Sequence, residues 1–84
     1  MSDLEYDVLD ELYFIQSFEV LIKTTHLEDK ELKQVLMSMF KKGWIRCFRS
    51  ASEEIPSDEI DLETEYMKYL YLASKSGLMA HTTI

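Results

Sequence analysis

The chain has one cysteine, one proline and two glycines, and each shortage excludes something. A lone Cys47 forms no disulfide within the chain, which fits a reducing compartment. Two glycines are too few for a phosphate-cradling loop, and no nucleophile elbow or recognisable carboxylate pair is present. No apolar run nears the roughly 20 residues that cross a bilayer. The first residues, Met1-Ser2-Asp3-Leu4-Glu5, are acidic where a secretion signal is basic and then apolar. These absences predict a non-enzymatic, cytoplasmic protein with no cofactor and no membrane partner.

Bases are also missing, from two stretches. Residues 1–22 carry six acids and no base, and residues 51–65 carry seven acids and no base. Between them, residues 23–49 hold seven bases against three acids. The formal net charge of −7 disfavours unspecific attraction to DNA or to an anionic bilayer. Positive charge is confined to the central block.

What is present suffices for one core. Of 84 residues, 46% are hydrophobic, with five Tyr, four Phe and one Trp. A chain of this size buries about 60–65% of its unfolded surface, so residues 1–84 are read as a single domain. Leu4, Val8, Leu12 and Ile15, widened by Leu9 and Tyr13, recur at helical spacing and predict a first helix near 3–15. Ser17 suits the N-cap of a second helix over 18–25, with Glu19 in its first turn. Thr24-Thr25-His26 weakens that helix. A third helix is expected over 28–42, with Glu28 and Asp29 at its start, Lys41 and Lys42 at its end and Gly43 just beyond.

The third helix has two stripes. Leu32, Val35, Leu36, Met39 and Phe40 form the buried one. Lys30, Lys33, Gln34, Met37 and Lys41 form the other, which is expected to point outward. Residues 44–49, rich in aromatic and β-branched side chains, read as a strand. Residues 50–65 read as a long acidic loop holding isolated Ile55, Ile60 and Leu62. Residues 66–72 read as the returning strand. Residues 74–79 form a turn or a short last helix capped by Ser74.

This order of elements, with Leu27-x4-Leu32-x3-Leu36-x3-Phe40-x2-Gly43-Trp44-Ile45 and the closing Tyr69-Leu70-Tyr71-Leu72-Ala73-Ser74-Lys75-Ser76-Gly77, resembles the winged helix-turn-helix domains of bacterial transcription regulators. The resemblance is of superfamily grade and covers nearly the whole chain. It implies a mainly α fold with a small β-hairpin: a three-helix bundle plus a two-stranded wing, with residues 50–65 as the wing loop. It further implies DNA contact through the third helix. The chain departs from that pattern at Glu28, Asp29 and Glu31, and in a wing with no base. At about 7 Å in water each carboxylate–phosphate pair costs only ~0.6 kcal/mol, but ten of them sum.

Lys30, Lys33, Gln34 and Lys41, with Arg46 and Arg49 nearby, are the candidate binding residues. They read either as phosphate contacts with Gln34 at an adenine edge or as an ordinary solvated face. Met37 in that stripe suits an adaptable protein contact. The acidic loop reads as solvated, or as a mimic of nucleic acid, a holder of a cation or a dock for a basic partner. It lacks the glycine of a calcium loop. His26 and His81 have no Cys or His at metal-ligand spacing, so no metal is expected. Cys47 reads as a small buried apolar residue. Trp44, Tyr66, Tyr69 and Tyr71 are expected to pack on the helices rather than stack bases. Tyr6, Tyr13 and Phe14 exceed what the first helix needs for its core and suit a homodimer surface. DNA contact leads. The alternative is a domain retired from DNA that binds protein or a second copy through Met37, the first helix or the acidic loop.

Overall fold

Ser2 starts the first helix. Its Oγ accepts the Glu5 amide at 3.1 Å, and the Glu5 carboxylate accepts the Ser2 amide at 2.9 Å. This reciprocal cap launches α1, Asp3–Glu11, in a computed structural model that describes residues 1–83. The helix stops at Glu11, four residues short of expectation. The Leu12 amide closes onto the Leu9 carbonyl, and the Leu12 carbonyl accepts the Ala73 amide at 2.9 Å. A partner distant in sequence thus takes the chain out of the helix. The buried stripe is also turned: Leu4 is exposed, whereas Glu5 is buried with Val8, Leu9 and Leu12.

Gln16–Ser17 form β1, a two-residue strand with no periodic signal of its own. The second helix, α2, occupies Phe18–Thr25 as the periodicity predicts, and Ser17 Oγ accepts the Val20 amide at 3.2 Å. Thr25 Oγ1 donates to the Leu21 carbonyl at 2.6 Å, and His26 leaves the helix in the left-handed region at φ 60°. Helix α3 runs Asp29–Lys41, followed by Gly43 at φ 74°. That is the glycine stop read from the sequence.

The strands are β2 (Ile45–Ser50), β3 (Glu53–Glu54) and β4 (Leu70–Ala73). They join β1 in one antiparallel sheet of order β1-β4-β2-β3. Central β4 pairs Gln16 with Tyr71 on one side and Cys47 with Tyr71 on the other. The expected two-stranded wing is therefore part of a four-stranded sheet. Residues 66–68 are a turn and not strand.

The segment read as a solvated loop is folded. After β3 come a 3-10 turn at Ser57–Glu59 and a short helix α4, Leu62–Glu65. Ile55 and Leu62 are buried and Ile60 half-buried, so three apolar residues pin the acidic run onto the domain. Asp61 caps α4, its Oδ1 accepting the Thr64 amide at 3.3 Å. Tyr69 and Tyr71 are buried in this corner. The Tyr69 hydroxyl accepts the Asp61 amide at 2.9 Å, and that of Tyr71 donates to the Tyr66 carbonyl.

Helix α5, Lys75–Thr82, is the helical option for the C-terminal stretch, with Ser74 as its N-cap. Ser74 Oγ donates to the Gly43 carbonyl at 2.6 Å and accepts the Gly77 amide at 3.0 Å, while the Ser74 amide donates to the Trp44 carbonyl at 2.8 Å. The described residues thus form an α/β domain of five α-helices and one four-stranded antiparallel sheet. Its core gathers Val8, Leu9, Leu12, Leu21, Leu32, Leu36, Met39, Cys47 and Tyr71.

Candidate interaction surface along the third helix

The stripe of α3 opposite the core divides in two. Lys30, Gln34 and Lys41 are exposed; Lys33 and Met37 are half-buried. The expectation that the whole stripe points outward fails at these two positions because the segment 60–66 packs beside them. Lys33 Nζ lies 3.1 Å from Glu63 Oε1 and 4.9 Å from the centre of the Tyr66 ring. Its side chain is 19% exposed. Met37 packs against the core. With Phe40, Ile60 and Leu62 it lines a hollow of about 260 Å³ edged by Lys41, Asp61 and Glu63.

The arginines are also engaged. Arg46 on β2 forms a two-point contact with Glu54 on β3, Nε to Oε2 at 3.0 Å and Nη2 to Oε1 at 2.6 Å. Donating to Glu54 raises Arg46 above the ordinary guanidinium value, and accepting from Arg46 holds the Glu54 carboxyl below the usual carboxylate range. Arg49 Nε stands 3.8 Å from Glu53 Oε2, an ion pair too long for a hydrogen bond. The hairpin places these carboxylates: Phe48 pairs with Glu54 and Ser50 with Glu53, across an irregular register. Asp61 is likewise held low, chiefly by the Thr64 hydroxyl donating to Oδ2.

The candidate residues therefore do not form one cationic strip. Lys33, Arg46 and Arg49 each face a carboxylate of the 53–65 segment. Among the described residues, Lys30, Lys41 and Lys75 have no ion-pair partner. The amino-terminal end of α3 presents Glu28, Asp29 and Glu31, all exposed, with Glu31 Oε1 accepting the Glu28 amide at 3.3 Å. Sequence reasoning did not find Glu54, Glu63, Ile60 or Leu62 as members of this surface. The signal lay in three isolated apolar residues within a run of acids, which are more than a solvated loop needs.

Elsewhere, Cys47 is buried between strands. Burial, aided by the Glu54 carboxylate, pushes its thiol up to about 12, far from the range of a nucleophile. His81 is buried beneath α1. Its Nδ1 shares a hydrogen bond of 2.8 Å with the Tyr13 hydroxyl, and Tyr6 stacks on its ring at 4.2 Å. Phe14 beside them is 77% exposed. Among the described residues no three His, Cys, Asp or Glu side chains stand where one metal ion would meet them. No described helix is long and apolar enough to cross a membrane. Comparison of the chain with protein-family models, with curated proteins and with solved structures finds no match in any of the three.

Proposed function

We propose that this chain is a winged helix-turn-helix domain acting as a non-enzymatic, transcription-regulator-like binding module, and that its third-helix surface meets a protein rather than a DNA duplex. The fold reading is supported by the order helix, short strand, two helices across a left-handed bend, then strands. It is also supported by β1, which leaves the chain between the first two helices to pair with the last strand. The preference for protein rests on one observation. The acidic segment 53–65 engages Lys33 on α3 and Arg46 and Arg49 on β2, side chains that would otherwise be free to meet phosphates. A duplex entering there meets carboxylates on a segment anchored by buried Ile55 and Leu62. Pairing of two copies through exposed Tyr6, Tyr13 and Phe14 belongs to the same reading.

A second reading keeps DNA, favoured by Lys30, Gln34 and Lys41, which stay exposed and outside any ion pair among the described residues. Retention on duplex DNA across a salt series separates the two. The protein reading expects none even at low salt. Binding that weakens steeply with salt and is lost in the Lys30→Ala, Lys33→Ala, Lys41→Ala variant overturns it.

A further inference from the structure

Two apolar hollows lie against α3, one at Asp29 in its first turn and one at Met37, Phe40 and Lys41 toward its end. One, of about 240 Å³, is formed by Phe18, Ile22 and Met67, with Glu19 and Asp29 on its rim. The other is the hollow of about 260 Å³ between α3 and the acidic segment, with Asp61 and Glu63 on its rim. Asp29 of the first hollow stands about 12–18 Å along the helix axis from Met37, Phe40 and Lys41 of the second. Met67, on the turn after α4, is 58% exposed. A large unbranched thioether held in water beside an apolar hollow suits contact with a partner's side chain.

We propose that the two hollows are one docking groove for a basic segment of a partner protein, which inserts a large apolar side chain into each and carries Lys or Arg around them. This rests on the protein-binding reading above. The sign of the partner follows from the rim. Glu19 is matched by Lys23 and Glu63 by Lys33, but Asp29 and Asp61 have no ion-pair partner among the described residues, against Lys41 alone on the positive side. The chain as a whole is at −7. Local rim and long-range field both attract a cationic segment and repel an anionic one. A span of about 12–18 Å corresponds to anchors about four residues apart in an extended segment, an even spacing that keeps both side chains on one face, or about eleven apart on a helix.

The test uses the whole chain, labelled at its Met and Ile methyl groups and followed by NMR. The probes are synthetic peptides with two leucines at each of those spacings, filled out with lysine in one set and glutamate in the other. The groove expects a lysine peptide to shift Ile22 and Met67 together with Met37 and Ile60, along one saturation curve. It expects the matching glutamate peptide to bind about tenfold more weakly or worse. Met67→Ala and Met37→Ala should each weaken the lysine peptide about tenfold, and Asp29→Asn with Asp61→Asn, which removes charge but keeps a capping oxygen on α4, should remove most of the preference for lysine. Met67 is exposed, so its variant tests the groove without a folding defect. Shifts at one hollow only, equal binding of both charge types, or no binding by any peptide overturns the groove. Lysine peptides that shift the α1–α5 face instead remove the groove and leave the protein-binding reading standing. Salt-steep capture of duplex DNA through the same methyl groups removes both.

Discussion

Lys42 Nζ stands 2.8 Å from Glu5 Oε2 and 3.1 Å from Oε1, joining the end of α3 to the first turn of α1. Glu5 is only 4% exposed, and Ser38 Oγ donates to its Oε2 at 2.9 Å while the Ser2 amide reaches Oε1. Burial alone would raise this carboxyl. The bonds from Lys42, Ser2 and Ser38 outweigh it and bring the group down to about 2. The ammonium also lies 4.6 Å from the centre of the Trp44 ring. One carboxylate thereby caps α1 and ties it to α3.

Glu5 makes the domain acid-sensitive in a defined window. Its folded-state value lies below the ordinary 4.5, so the unfolded chain binds more protons between the two. The stabilisation is fully present above about 4.5 and is lost as pH falls toward about 2. Glu5→Gln should cost about 1–3 kcal/mol near neutral pH and flatten the acid limb of a stability–pH curve measured by urea unfolding. An unchanged acid limb in the variant would show that other groups carry it.

Gly77→Ala should destabilise more than a helix-favouring change normally would. A Cβ there would overlap the Trp44 carbonyl oxygen, which is backbone and already accepts the Ser74 amide. The gain in helix propensity is about 1 kcal/mol; overpacking against a fixed carbonyl costs about 1–3 kcal/mol or more. Thermal unfolding should show a lower midpoint. A raised midpoint would mean that α5 shifts freely on the sheet.

Leu62→Ala and Glu63→Gln separate what holds the acidic segment in place. Leu62 is buried, and its truncation should cost about 2–4 kcal/mol. Glu63 is largely exposed in its pair with Lys33, so its neutralisation should stay within about 1 kcal/mol. Hydrogen exchange of residues 55–66 should quicken in the first variant and hardly change in the second. The reverse ranking would make the ion pair, not the apolar anchor, the fastener.

Cys47 should resist alkylation by iodoacetamide at pH 8 in the folded protein and react once urea unfolds it. Its thiol is fully buried and held up to about 12, so almost no thiolate exists and none is reachable. Labelling at the same rate in both states would place Cys47 outside the core.

Several elements were legible because their causes are local. Ser17 and Ser74 cap helices through hydrogen bonds spanning three residues, and Gly43 ends α3 with a positive φ. The core stripe Leu32, Val35, Leu36, Met39 follows from helical period alone. Two-residue β1 and β3 were not legible, since a strand that short carries no period and exists only through its partner. Glu5 against Leu4 shows the same limit. Which of two neighbouring side chains is buried depends on Lys42, far along the chain, and not on hydrophobicity.

The candidate surface divides along the same line. Residue order alone determined that α3 would carry a lysine stripe, because helical spacing places Lys30, Lys33, Gln34, Met37 and Lys41 on one side. Only the tertiary structure decided which of those lysines are available. Ile55 and Leu62 bury themselves, and in doing so carry Glu63 to Lys33, beside Met37. Spacing along the chain encodes which side of a helix a residue occupies; it does not encode which distant segment will gain enough by leaving water to lie against it.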